Sequence, residues 1–168
     1  MNYCPICGTQ LIEKEAGGKI RLACPQGDWV HWDNPVPVVA AVVERNEHVV
    51  LVQSHGWPKE WFGLVTGFLE RDETPEEAVL REVKEELGLE ATMGRFLGLY
   101  PFFYRNQLII AYHVEAHEGD IVLEEAELAA YREVPLAKAR PWRAGTGYAL
   151  ADWLASRGYS PKFVDLKR

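Results

Sequence analysis

One stretch, residues 67–89, constrains the fold of this chain more than any other, because it carries complete helix start and stop signals. Thr74 is a good N-cap, Pro75 suits the first helical position, and Glu77 completes a capping box. Gly88 is a suitable left-handed residue for the C-terminal end. The pattern therefore predicts a helix over residues 74–87.

The same helix is predicted to carry a cluster of acidic residues. Its apolar positions fall on one stripe that faces the core: Val79, Val83 and Leu87. Glu82, Glu85 and Glu86 fall on a different face, where like charges repel one another. A divalent cation would offset that repulsion, and carboxylate oxygens suit Mg²⁺ or Mn²⁺. Arg81 can orient a carboxylate, and Gly67 permits a close backbone approach. The alternative is a solvated acidic face.

The rest of the chain reads as strands with one more helix. Two β-branched runs, 36–43 and 48–53, predict a hairpin around Asn46. Further elements are a short strand or loop edge at 64–69, strands at 92–100, 107–116 and 127–133, and a helix at 144–157. Strands interleaved with two helices predict an α/β fold in which a mixed sheet lies between helices.

The first 33 residues differ from the remainder because they hold all three cysteines. Two knuckle-like stretches, 4–8 and 24–28, flank a turn at Gly17-Gly18, which predicts two short hairpins in a small β mini-domain. The Asn34-Pro35-Val36-Pro37 joint separates this segment, 1–33, from a main domain at 34–168. An odd cysteine count makes a disulfide framework improbable.

The acidic helix resembles the signature of the Nudix hydrolase family. The matching residues are Gly67, Glu73 and the run Arg81-Glu82-Val83-Lys84-Glu85-Glu86-Leu87-Gly88-Leu89. The resemblance implies a Nudix α/β/α sandwich with a mixed β-sheet, and hydrolysis of the pyrophosphate in a nucleoside diphosphate linked to another moiety. This chain departs from the frequent Leu-Pro-Gly-Gly that precedes the motif, since it reads Leu64-Val65-Thr66-Gly67.

The resemblance also implies a role for each residue that matches the family motif. Glu82, Glu85 and Glu86 would bind Mg²⁺ or Mn²⁺, Arg81 would hold a glutamate in place, and Glu73 would be a supporting carboxylate. The catalytic base stays open. It is a glutamate of the motif, or else Glu125 or Glu127, which precede the aromatic Tyr131 as a further carboxylate does in many relatives.

The cysteine segment resembles the zinc ribbon of a Nudix subgroup that includes NADH pyrophosphatases and proteins that cleave FAD or ADP-ribose. Cys4, Cys7 and Cys24 would be zinc ligands, but Gly27 stands where the fourth cysteine belongs. Asp28, His31 or a water could complete the site. The alternative is a zinc-free ribbon that packs on Trp29 and Trp32. The subgroup also suggests a homodimer contact.

Substrate contacts are predicted at aromatic residues that fall in expected loops. An adenine or nicotinamide ring could stack on such side chains, and an arginine beside them could pair with a phosphate. The candidates are Phe62, Phe102, Phe103, Tyr104 and Arg105. The alternative is that they anchor loops. Little of the sequence stretch typical of NADH pyrophosphatases is present here, so NADH specificity does not carry over.

Charge and hydropathy narrow the function classes. A net charge of -7 disfavours non-specific binding to a nucleic-acid backbone or an anionic membrane. No apolar run approaches the ~20 residues of a membrane span, and the N-terminus does not read as a signal peptide, so a cytoplasmic location is expected. The leading hypothesis is Mg²⁺-dependent hydrolysis of an NAD(H), ADP-ribose or FAD type nucleotide, an RNA cap being the one nucleic-acid exception. The alternative is a regulatory or nucleotide-sensing module without turnover.

Overall fold

The computed structural model describes residues 1–165, which divide into a first unit, Met1–Asn34, and a second unit that begins at Pro35. In the first unit, β1 (Ile12–Ala16) pairs antiparallel with β2 (Lys19–Ala23). Gly17 and Gly18 form the turn between them with φ of 59° and 74°, a left-handed conformation that glycine adopts without strain.

The expectation of two hairpins in this first unit is wrong in one respect. β1 and β2 form one hairpin. Each of the two cysteine knuckles is instead closed by one isolated β-bridge, which pairs Tyr3 with Gln10 in the first knuckle and Ala23 with Val30 in the second. The knuckle backbones fold tightly instead of extending. The Cys4 N–H donates to the Thr9 carbonyl at 2.8 Å, and the Cys24 N–H donates to the Trp29 carbonyl at 2.8 Å.

Within residues 35–165, the second unit contains six strands and two α-helices. The elements are β3 (Val36–Arg45), β4 (His48–Ser54), β5 (Val65–Phe68), α1 (Pro75–Leu87), β6 (Ala91–Phe102), β7 (Gln107–Ala116), β8 (Leu128–Pro135) and α2 (Thr146–Ser156). They form one mixed sheet in the order β6-β7-β3-β4-β8, with β5 paired to β3. β3 and β7 run parallel, and the other pairs run antiparallel. The α/β fold with a mixed sheet is therefore confirmed.

Alternation along β3 and β4 assigns the two helices to opposite faces of the sheet. Val39, Ala41 and Val43 pack in a core cluster with residues of α1 such as Val83. The intervening Val42 packs in a second cluster with Leu150, Trp153 and Leu154 of α2. The central strands are buried on both faces, which explains their continuous apolar runs.

The predicted local signals are present at α1 and at the first hairpin. Thr74 caps α1 and forms a capping box with Glu77, and Gly88 ends the helix at φ 68°. Asn46 and its neighbour Glu47 both have positive φ, as a tight two-residue hairpin turn requires. The ends of the other helices and strands differ from the ends predicted from the sequence by no more than two residues. β6 continues through Pro101 to Phe102, and Glu127 precedes β8.

No helix within residues 1–165 is long and apolar enough to cross a membrane.

Candidate active site

Strand β5 and helix α1 approach each other so closely that a Cβ atom at one position of the strand would strike a carboxylate of the helix. A Cβ atom on Gly67 would lie 1.8 Å from the carboxyl carbon of Glu82. Any side chain there would displace this carboxylate. The backbone of β5 is otherwise regular, because Gly67 pairs with Val39 and Thr66 pairs with Ala40 of β3. The residues before Gly67 differ from the sequence that is frequent in the family, but they form an ordinary strand.

Arg81 is the centre of the charged network on α1. Its guanidinium donates to Glu73 at 2.8 and 3.1 Å, to Glu82 at 2.7 Å and to Glu85 at 3.0 Å. It also donates to the Phe68 carbonyl of β5 at 3.2 Å. Hydrogen bonds from Arg81 lower the pKa of Glu73. One side chain thus holds three carboxylates and the strand in a single arrangement.

Glu86 is the exception in this network, since Arg81 does not reach it. The residue is only 6% exposed, and its Oε2 atom has no hydrogen-bond partner within residues 1–165. Burial, with the nearby charges of Glu82 and Glu127, raises its pKa to about 8, against a hydrogen bond from the Thr66 backbone. The sequence-based expectation of an exposed carboxylate face is therefore wrong at Glu86, because β5 covers that side of α1.

The acidic cluster includes a residue from outside α1. Glu127 stands in the turn before β8. Burial is the main cause that raises the pKa of Glu82 and of Glu86, and the charge of Glu127 raises both further. Backbone bonds tie this turn to the helix end: the Glu124 N–H donates to the Glu86 carbonyl at 3.2 Å. His55 contacts both candidates through their carbonyls: its backbone N–H donates to Glu127 at 3.1 Å, and its ring Nε2 is hydrogen-bonded to Glu125 at 2.9 Å. Of the two candidates considered from sequence, the structure brings Glu127 to the cluster.

The donor set fits a hard divalent cation. A buried carboxylate oxygen without a partner is costly, and adjacent carboxylates repel one another unless a cation offsets their charge. Glu82 and Glu86 present oxygen ligands of the kind that Mg²⁺ and Mn²⁺ prefer. Glu85 is more peripheral, because its side chain is 58% exposed and engaged by Arg81.

The aromatic residues that were predicted to contact substrate lie in several different parts of the structure. Phe62 packs in the core cluster of α2, on the face opposite α1, and Phe102 packs with Ala149 of α2. Neither is brought to the carboxylates. Phe103 and Tyr104 lie in a single turn after β6 and are 88% and 73% exposed. Arg105 lies over the Tyr104 ring at 5.7 Å. Substrate contact by these residues stays a prediction.

One exposed aromatic beside the carboxylates was missed in the sequence. Phe68 directly follows Gly67 in β5, is 60% exposed, and its carbonyl is held by Arg81. Its position next to the glycine of the motif was the available signal. A flat apolar side chain at this place can contact a ring of a bound molecule.

In the first unit, the structure brings the three cysteines together with one acidic residue. Ligand atoms of Cys4, Cys7, Cys24 and Asp28 all lie within 4.8 Å of one another. The sulfurs of Cys7 and Cys24 are 3.6 Å apart, and an Asp28 oxygen is 3.6 Å from the Cys24 sulfur. His31 is elsewhere, stacked on Trp29 at 5.7 Å between ring centroids.

Comparison with known proteins agrees with this geometry. The chain is 29% identical over 129 residues to the NAD-capped RNA hydrolase NudC of Vibrio vulnificus, covering 77% of this chain and 49% of that protein. It is 28% identical to NudC of Pseudomonas aeruginosa, over 75% of this chain and 45% of that one. The chain thus spans about half the length of these curated relatives.

Solved structures share the fold. A NUDIX hydrolase from Nitrosomonas europaea matches with a TM-score of 0.77 at 22% identity, covering 98% of this chain and 97% of that one. An ADP-ribose pyrophosphatase from Streptococcus suis matches with a TM-score of 0.61 at 19% identity, over 80% and 100% of the two chains. A family model of the NUDIX domain matches residues 34–154, which include β5, α1 and the turn that carries Glu127. The chain therefore belongs to the Nudix family.

Proposed function

We propose that the chain hydrolyses the pyrophosphate bond of a nucleoside diphosphate linked to another moiety, with Mg²⁺ or Mn²⁺, and releases a mononucleotide. The substrate class is the NAD(H), ADP-ribose or FAD type. The observation that carries this proposal is Glu86, a buried carboxylate whose Oε2 atom has no hydrogen-bond partner within residues 1–165 and which is repelled by the nearby charges of Glu82 and Glu127. The names of the NudC relatives and of the ADP-ribose pyrophosphatase support the substrate class.

In this proposal Glu82 and Glu86 hold the cation, and Glu85 assists. When bound, the cation neutralises phosphate charge and lowers the pKa of a coordinated water. Arg81 keeps the carboxylates in place through its bonds to Glu73, Glu82 and Glu85. Such prior ordering avoids reorganisation when charge develops in the transition state.

Glu127 is the proposed general base. It lies on a turn that is separate from α1, yet its charge acts on Glu82 and Glu86. An exposed carboxylate at this position can accept a proton from the attacking water, while the glutamates of α1 remain available as ligands. Phe68 is proposed to contact a ring of the substrate.

The test is a substrate panel with saturating Mg²⁺ or Mn²⁺, with products separated by chromatography. The panel contains NADH, NAD, ADP-ribose, FAD, a nucleoside triphosphate and an RNA carrying a 5′ NAD cap. We expect AMP or a 5′-monophosphate RNA from one substrate class, and no product when the divalent ion is omitted. Absence of turnover across the panel would contradict the proposal and favour the regulatory or sensing module.

We further propose that the first unit is a structural zinc ribbon with Cys4, Cys7, Cys24 and Asp28 as ligands. Tetrahedral zinc with bonds of 2.3 Å to sulfur places sulfurs about 3.7 Å apart. The Cys7 to Cys24 separation of 3.6 Å agrees with that value. Asp28 directly follows Gly27, so the carboxylate replaces the missing cysteine one position further along the chain.

Zinc content separates Asp28 from the alternative His31. The variant D28N should lose most of its bound zinc, because a neutral amide is a weaker ligand than a carboxylate, and its first unit should unfold at lower temperature. H31Q should keep about one zinc per chain. Elemental analysis with thermal denaturation measures both. Equal zinc content in D28N and the unmodified protein would exclude Asp28 as a ligand.

A cytoplasmic location, a boundary between residues 33 and 34, and a homodimer remain predictions. Fractionation of expressing cells, limited proteolysis and size-exclusion chromatography with light scattering test them in turn.

A further inference from the structure

A basic cleft lies on the sheet face opposite α1. Its volume is about 210 Å³, and the residues that line it include Leu51, Glu60, Phe62, Arg132, Lys138, Arg140 and Trp142. Leu51, Phe62 and Trp142 belong to the core cluster of α2. The acidic helix packs in the other cluster, with Val50 and Val52 of β4. The sheet therefore separates the basic cleft from the proposed active site.

The three cationic side chains of the cleft are not neutralised by the protein. Arg132, Lys138 and Arg140 are exposed, and none of them forms an ion pair with a carboxylate within residues 1–165. Glu60 is the one acidic residue among those lining the cleft. In a chain of net charge -7, this is a local reversal of sign. A concave surface with one sign of charge concentrates ions of the opposite sign.

Arg132 is held in a geometry that suits an anion. The pairing of β8 with β4 sets Arg132 opposite Leu51, and its guanidinium lies 3.9 Å from the centroid of the Phe62 ring. Stacking uses the flat face of a guanidinium, so the N–H groups around its edge stay available as donors. A phosphate can accept two of these N–H groups at once.

The floor of the cleft is apolar, so a simple inorganic ion would leave it unused. Leu51, Val134, Trp142 and Val164 are apolar residues that line the cleft together with the cations. The volume is smaller than the 300 Å³ or more of a typical drug-sized site. A flat ring with one attached phosphate fits this size and polarity better than a dinucleotide does.

We propose that the basic cleft binds a nucleotide monophosphate unit, with its phosphate on Arg132 and Arg140 and its ring against the apolar floor. The unit is either a free mononucleotide or one residue of a single-stranded RNA. Both sources present the same chemistry to the cleft. This inference rests on residues outside the carboxylate cluster, so it can be tested independently of the proposed hydrolysis.

The test compares a double variant, R132Q with R140Q, against a control, K14Q with R95Q, that removes the same charge elsewhere. Calorimetric titration uses AMP, adenosine, inorganic phosphate and a short oligoadenylate RNA that contains no pyrophosphate bond. We expect the double variant to bind AMP or the RNA at least tenfold more weakly, and the control to stay within about twofold. Thermal denaturation verifies that both variants fold.

The probes separate the sources and the alternatives. RNA binding at least tenfold tighter than AMP would assign the cleft to an RNA chain, and equal binding would assign it to free nucleotides. Inorganic phosphate binding as tightly as AMP would overturn the nucleotide assignment. Unchanged affinity of the double variant for both AMP and RNA would overturn the site. Turnover of the best panel substrate should not change in kcat for the double variant, because the sheet separates the cleft from the carboxylates.

Discussion

Replacing Glu86 with glutamine is expected to lower turnover by at least about a thousandfold while making the Mg²⁺-free protein more stable at alkaline pH. The amide cannot supply the negative charge that the cation requires, so activity falls. The same amide removes a buried carboxylate whose Oε2 atom has no partner in the described part of the chain. Removing that unsatisfied charge relieves a desolvation cost. The two effects have opposite signs, which an unspecific folding defect does not produce.

E90Q is a matched control for this prediction. Glu90 lies just beyond the end of α1, is exposed, and pairs with Lys84 at the surface. A surface pair of this kind contributes little to stability, so E90Q should keep nearly full kcat. The measurements are initial rates at saturating Mg²⁺ and denaturant unfolding in Mg²⁺-free buffer. An E86Q protein that retains turnover would refute the role of Glu86 as a ligand.

The Mg²⁺-free protein is expected to lose stability as the pH rises from 5 to 9. The pKa of Glu86 is about 8 in the folded chain, against an ordinary value of 4.5. The pKa of Glu86 is higher in the folded chain than in the unfolded chain, so protonation of this residue stabilises the folded chain. This stabilisation is complete below pH 4.5 and is lost as the pH rises through 8. At about 1.4 kcal/mol per pKa unit, the loss amounts to roughly 5 kcal/mol.

Urea unfolding at several pH values, without chelator so that the proposed zinc site is not stripped, measures this loss. Mg²⁺ should restore stability at alkaline pH, since the cation binds the ionised carboxylates and its affinity increases with pH. The E86Q variant should show a much flatter profile between pH 5 and 9. A flat profile for the unmodified protein would show that Glu86 is not held as a buried, uncompensated carboxylate.

Helix α1 was predictable because its determinants are local. Capping, the αL residue Gly88 and the 3.6-residue period depend on neighbours within a few positions, and each signal agrees with the others. The hairpin around Asn46 was predictable for the same reason. The Gly67 position follows from the motif, and the structure supplies its cause in the Glu82 carboxylate that a Cβ would strike.

Several features of the candidate sites could not be predicted locally. Glu85 and Glu86 are adjacent glutamates in one acidic run, yet one is 58% exposed and the other 6%. That difference arises because β5, the strand that precedes the helix, covers one side of it after the chain turns back. Likewise, Phe62 lies outside the regular strands and helices, as expected, but only the tertiary structure places its ring against Arg132 on the sheet face opposite α1.

The sequence by itself determined the family, the acidic helix with its ends, the strand-rich α/β composition and the three cysteines of the first unit as candidate zinc ligands, since each depends on residue type and short spacing. The tertiary structure alone decided which carboxylate is buried, that Glu127 joins the cluster, that Asp28 and not His31 lies beside the cysteines, and that three cations without an ion pair in residues 1–165 share one cleft. Several of these features depend on contacts between segments that are not neighbours in the chain. Their distances depend on strand order and register, which no local pattern encodes.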